Sequence, residues 1–169
     1  YNMLWYNITF KGVVNSKMAF IKHNHDECIS SGISKLENHC KNFNLQLTPI
    51  RKYVYEILLK NHKAVGAYQI LDILSKSDFS SKPPVAYRAL DFLIKEGFVH
   101  KIESLNAFVA CSHAGEKHSP TFLICKNCWE IVEARAASAT KDVINTAKKV
   151  NFKIEKSILE STGLCPNCN

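Results

Sequence analysis

A chain of 169 residues and 19.1 kDa, 46% hydrophobic and 22% charged, has the balance of a globular protein and excludes collagen-like, coiled-coil and disordered architectures. Such a chain buries roughly 70% of its unfolded surface without covalent staples, so its seven cysteines, an odd number with four in two CxxC pairs, point to metal binding in a reducing cytoplasm. A net charge of +7 and a pI near 9.0 favour an anionic partner such as nucleic acid, and no apolar run approaches the roughly 20 residues that a membrane span needs.

Residues 1–22 form an extension of uncertain order, interrupted by Asn2, Asn7, Lys11, Asn15 and Lys17, with Met18 inside it as a possible start. His23, His25 and Cys28 beyond it could hold a metal, but a solvated N-terminus accounts for them more simply. Ile29, Ile33, Leu36, Cys40 and Phe43 trace one face of a helix over 26–42. Thr48 followed by Pro49 reads as a cap and first turn, opening a helix that runs to about Asn61. A third helix spans about 67–75. The fourth follows Lys82-Pro-Pro, repeats Ala86, Ala89, Leu90, Leu93 and Ile94 at helical spacing, and ends at Gly97. With those residues inward, Val85, Tyr87, Arg88 and Asp91 face out, the side that a reading helix presents. Phe98–Ile102 and Ala107–Ala110 then read as a hairpin. Helices followed by a hairpin make a winged helix-turn-helix, whose last helix enters the major groove; we place it at 23–110.

Residues 111–119 are polar and read as a hinge. Residues 120–169 read as a small α/β unit: strands at 121–125 and 129–133, a helix near 138–150 and a strand at 152–159. Under sixty residues enclose little core, so a metal or a partner subunit should support this unit. Residues 1–110 carry 14 Lys and Arg against 9 Asp and Glu, and the remainder 8 against 6, so the positive excess lies mostly with the winged helix. The fold class is thus α+β, an N-terminal winged helix followed by a small α/β domain.

The strongest chemical signal is Cys125-Lys-Asn-Cys128 with Cys165-Pro-Asn-Cys168. Two intervening residues let both thiolates reach one ion, and two such pairs complete a closed tetrahedral zinc site, a structural one. The 36 residues between the pairs exceed ribbon spacing, so this zinc would pin the end of the chain back onto the first strand turn. His100, Cys111, His118 and Glu133 form a second, weaker constellation around the hinge, with His113 competing for a place. Mixed N, S and O donors suit zinc, and a thiolate argues against calcium or magnesium. A zinc deaminase is the main rival from another class, since His25-Asp-Glu27 supplies an HxE element. Ile124 and Leu164, however, stand where its cysteine pairs would follow proline, and four thiolates leave no open position for a catalytic water.

Leu47-Thr-Pro-Ile-Arg51, Lys82-Pro-Pro-Val-Ala-Tyr-Arg-Ala-Leu-Asp-Phe-Leu93, Gly97-Phe-Val-His-Lys-Ile-Glu-Ser104 and the two CxxC pairs resemble the Fur family of bacterial metalloregulators, in its zinc uptake regulator (Zur) branch. The resemblance covers about residues 28–169. It implies an N-terminal domain that binds DNA, a C-terminal domain that forms a homodimer, and a hinge metal that switches repression on. The family's structural cysteines match Cys125, Cys128, Cys165 and Cys168, its sensing ligands match His100, Cys111, His118 and Glu133, and its DNA contacts match Arg88 and Tyr68, with Tyr87 on the same outward face as Arg88. Core packing is the alternative role for Tyr68. The expectation is a cytoplasmic repressor of zinc-uptake genes, not an enzyme, binding two zinc ions per subunit and a palindromic double-stranded DNA operator. A family member sensing iron, nickel or manganese, or a constitutive zinc-containing DNA-binding protein, stands beside it. Cys111 as a ligand and the lack of a histidine-rich stretch favour zinc over iron. Two positions depart from the family pattern: Val85 replaces a threonine in the recognition helix, and Trp129 replaces the glycine usual after the first CxxC.

Overall fold

The computed structural model describes residues 25–61, 63–79, 82–116, 118–134 and 137–169. The extension assigned to 1–22, together with His23 and His62, lies outside the described residues. Helices α1 (His25–Asn42), α2 (Pro49–Leu59), α3 (Ala67–Ser75) and α4 (Pro83–Lys95) alternate with a short strand β1 (Val65–Gly66) before the hairpin β2 (Val99–Ile102) and β3 (Ala107–Ala110). The second unit consists of β4 (Thr121–Cys125), β5 (Ile131–Ala134), α5 (Ala137–Lys149) and β6 (Leu159–Gly163).

Local chemistry sets the helix ends. The Thr48 side chain accepts from the Arg51 N–H at 3.4 Å, and Pro49 occupies the first turn of α2, where a missing N–H costs nothing. At the end of α4 the Phe98 N–H donates to the Leu93 carbonyl and the Gly97 N–H to that of Ile94. This is a Schellman closure, and it requires the left-handed φ of +76° at Gly97. The chain therefore leaves α4 in the direction of β2, three residues before His100.

Leu36, Tyr55, Leu58, Ile70, Leu74, Leu90, Leu93 and Phe98 are all buried in one cluster. Each contributes about 1.5–3 kcal/mol of apolar transfer. His39 joins α1 to the end of α4 through Glu96, at 2.8 Å. Strand β1, too short to register as a pattern, adds to the hairpin beside β3, giving the order β1-β3-β2. A second buried cluster, Ile102, Phe122, Ile124 and Ile131 with Leu105, Val109 and Ile158 against it, seals the hairpin onto the second sheet.

That second sheet has the order β5-β4-β6, with β5 antiparallel and β6 parallel to β4. The strand expected at 152–159 is corrected to Leu159–Gly163. Val150 and Phe152 are 70% and 66% exposed, so the apolar run that suggested a strand does not pack on the sheet. The segment that pairs, Leu-Glu-Ser-Thr-Gly, has no apolar alternation to reveal it. Strand β5 starts at Ile131 rather than 129, because Trp129 takes a left-handed φ of +63° and turns the chain first. The glycine-type turn is thus kept by a bulky residue, an uncommon and strained choice. No helix among the described residues is long and apolar enough to cross a membrane.

Candidate metal centres and nucleic-acid face

Parallel pairing of β4 with β6 sets Cys125 opposite Gly163, so both strands leave the sheet at the same edge and each turns at once into a CxxC. Within the turns the Trp129 N–H donates to the Cys125 carbonyl and the Cys168 N–H to that of Cys165, both at 2.9 Å. The four sulfurs of Cys125, Cys128, Cys165 and Cys168 all lie within 4.8 Å of one another. Cys128 Sγ and Cys165 Sγ are 3.6 Å apart, near the about 3.8 Å edge of a tetrahedron with 2.3 Å metal–sulfur bonds. All seven cysteines are free thiols. N–H groups of Cys128 and Cys165 donate to Cys125 and lower its thiol to about 6, presenting a thiolate ready for a cation. The arrangement fits a closed zinc site and leaves no position for a substrate.

The second cluster brings together residues from three places in the chain. His100 comes from β2, Cys111 and His118 from the segment between β3 and β4, and Glu133 from β5. Their donor atoms again lie within 4.8 Å of one another. His100 Nε2 stands 3.3 Å and His118 Nε2 2.6 Å from Glu133 Oε1, and Cys111 Sγ lies 3.6 Å from His118 Nε2. His118 Nδ1–H donates to the Glu116 carbonyl at 2.8 Å, which aims Nε2 at the cluster, the usual way a ligating histidine is oriented. The Ser112 N–H holds the other Glu133 oxygen at 2.8 Å.

His100 Nε2 is buried without a hydrogen-bond partner. A buried polar atom left unpaired is costly, and here it points at a carboxylate, a thiol and a second imidazole. This is a donor set that a zinc ion would satisfy. Burial alone would raise the Glu133 carboxyl, but His100, the Ser112 N–H and His118 outweigh it and lower it to about 2. Burial and the Glu133 charge push the Cys111 thiol well above its ordinary value. His113 stands at the edge: its Nδ1 is 3.8 Å from Glu133 Oε1 and also lacks a partner, and its N–H donates to Cys111 Sγ at 3.3 Å.

On α4, Ala86, Ala89, Leu90 and Leu93 are buried, leaving Tyr87, Arg88 and Asp91 exposed and Val85 half-buried. Tyr68, at the start of α3, is 83% exposed, which rules out core packing as its role. Lys82 stands at the N-cap of α4, with Pro83 in its first turn. Cys28 is exposed and joins no metal cluster found among the described residues.

Residues 42–162 match the Ferric uptake regulator family. The zinc uptake regulation protein of Escherichia coli (strain K12) is 36% identical over 138 residues, 80% of each chain. A solved zinc uptake regulator complexed with zinc and DNA superposes with a TM-score of 0.78 at 33% identity, covering 86% of this chain and 95% of that one. The holo form of XcZur gives 0.75 at 41% identity over 81% and 96%, whereas its apo form gives 0.50 at 40% over 84% and 98%. The chain thus superposes better on the holo form than on the apo form.

Proposed function

The chain belongs to the Ferric uptake regulator family, and we propose that it is a zinc-responsive transcriptional repressor of zinc-uptake genes, acting in the cytoplasm as a homodimer and by binding rather than catalysis. Residues 23–110 form the DNA-binding domain, 111–119 the hinge and 120–169 the dimerisation domain. The observation that carries this reading is the convergence of His100, Cys111, His118 and Glu133 from both sides of the hinge onto one point. Zinc held there ties β2 to β5 and so fixes the winged helix relative to the second sheet. Cys111 favours zinc over harder cations. The likeness to zinc uptake regulators, one of them solved with zinc and DNA, supports the same reading.

Orientation is the switch. A palindromic operator offers half-sites about 34 Å or a multiple apart, and a dimer whose winged domains wander presents few arrangements that match. Closing the hinge makes the matching arrangement dominant, a population shift. Tyr68, Tyr87 and Arg88 share the outward side of α3 and α4, and Arg88 has the fork geometry that grips guanine. Two zinc ions per subunit follow, with Cys125, Cys128, Cys165 and Cys168 holding the structural one.

A second copy of the chain covers the apolar surface of the second unit. Val143, Val150, Phe152 and Leu159 are exposed there, as is Leu123, and Val143, Val150 and Phe152 line a shallow groove along α5. Such a patch marks an association surface, and a twofold dimer is the arrangement that a palindrome demands. Binding to operator DNA measured against buffered free zinc, alongside metal analysis, tests the reading. Affinity unchanged by zinc would leave a constitutive DNA-binding protein, and a sensing site filled by iron in preference to zinc would change the metal.

A further inference from the structure

Phe122 on β4 pairs with Glu133 of β5 on one side and with Glu160 of β6 on the other. Residues directly opposite one another in a sheet project from the same face, so Glu133, Phe122 and Glu160 form one row across it. All three touch the hairpin. Glu133 approaches His100 at 3.3 Å, the Phe122 ring lies edge-on to the His100 ring at 5.5 Å, and Glu160 reaches the turn between β2 and β3. There one carboxylate oxygen accepts from the Glu103 N–H at 2.8 Å and the other from the Ser104 N–H at 3.1 Å. Beside it Leu105 packs on the cluster of Ile102, Phe122, Ile124 and Ile131.

The tip of the hairpin is therefore occupied. In a winged helix this turn is the element free to reach along the DNA backbone, and its N–H groups could donate to a phosphate. Here two of those N–H groups are spent on a carboxylate of the other unit, 56 and 57 residues away in sequence. We propose that Glu160 is a positioning residue of the metal response: it clamps the hairpin turn onto the second sheet in the closed arrangement, and so raises zinc affinity at the hinge without touching the ion. The proposal rests on the hinge being the sensing site.

Two hydrogen bonds to an ionised carboxylate are charge-assisted and geometrically demanding, and they exist only when hairpin and sheet are docked. Burial disfavours the charged carboxyl, yet bonds from Ser104 and Glu103 hold it below its ordinary range. Any contact made only in the closed state favours every other ligand of that state, by linkage. Glu160 and the hinge ligands thus act on one equilibrium from opposite ends of the Glu133–Phe122–Glu160 row.

The test uses the full chain with its structural zinc in place and zinc itself as the probe. Free zinc at half-filling of the hinge should rise roughly three- to tenfold in Glu160→Ala, the loss of one to two modest hydrogen bonds, and less in Glu160→Gln, which keeps one acceptor. Hydrogen exchange at the Glu103 and Ser104 amides, read without DNA, should accelerate in zinc-loaded Glu160→Ala, while the structural zinc is retained. Zinc affinity within twofold of the parent, or amides as protected as before, overturns the clamp. If Glu160→Ala does not fold, Glu160→Gln decides by the same two readings. A parent chain that takes up no second zinc instead overturns the sensing reading, and the amide exchange then judges the contact separately.

Discussion

Cys125 and Gly163 face one another as the last pair of the parallel β4–β6 ladder, and this pairing, not proximity in sequence, brings the two CxxC turns together. The Lys126 N–H extends the ladder by donating to the Gly163 carbonyl at 2.9 Å. The four cysteines therefore sit where a three-stranded sheet with little core of its own would otherwise fray.

Metal binding at such a site is coupled to folding. Cys125→Ser and Cys168→Ser should each lose the tightly held zinc, about one ion per chain, and with it the dimer. Metal analysis after mild chelation, combined with light scattering, reads both. A stable metal-free dimer in either variant would remove the structural role.

The hinge ligands separate by their geometry. Cys111→Ser and His118→Ala should keep the structural zinc but lose zinc-stimulated operator binding, because three donors hold the ion less tightly. His113→Ala should respond nearly as the parent does, since its Nδ1 stands 3.8 Å from Glu133 Oε1, outside the four-atom cluster. DNA-binding midpoints against buffered zinc rank the three. The reverse order, with His113→Ala unresponsive and His118→Ala intact, would reassign the ligands while leaving the sensor.

The pH response follows from the two perturbed groups. Glu133, lowered to about 2, is ionised throughout pH 6–8 and has no proton to give up when zinc enters. The Cys111 thiol, raised by burial and by the Glu133 charge, is protonated over the same range, and ligation must expel that proton. Hinge affinity should therefore rise with pH, about tenfold per unit for one proton released, and fall as pH drops. Zinc titration in two buffers of different ionisation enthalpy counts the proton. The slope should flatten in Cys111→Ser, and an unaltered slope there would show that the proton comes from another group.

Arg88→Ala should weaken operator binding by about 1–3 kcal/mol, the worth of one bidentate base contact, with dimer and zinc content unchanged. Tyr68→Phe should be milder if the hydroxyl donates only to a phosphate. Comparison with a scrambled duplex decides the role: an equal loss on both would make Arg88 a phosphate anchor and not a base reader.

Much of this molecule is written locally. The spacing of Ala86, Ala89, Leu90 and Leu93 settles which side of α4 is buried, and hence that Arg88 is outward, because a helix's period depends only on its own backbone. Thr48-Pro49 and Gly97 mark helix ends for the same reason. The paired cysteines are legible because two intervening residues suffice for two thiolates to reach one ion.

Other features depend on residues far apart in the chain. The pattern over 152–159 suggested a strand, yet β6 is Leu159–Gly163, since its place is set by backbone bonds to β4 and not by its side chains. Strand β1 is two residues long and has no periodicity to read. Spacing placed His118 in the second constellation with His113 competing for a place; how near each ring comes to Glu133, with His118 Nε2 at 2.6 Å and His113 Nδ1 at 3.8 Å, is a matter of tertiary folding. The approach of His100 to Glu133 and the hold of Glu160 on Glu103 and Ser104 belong to the same class. Both join the hairpin to the second sheet through residues far apart in the chain, and no local propensity encodes them, because their energy exists only once hairpin and sheet have docked.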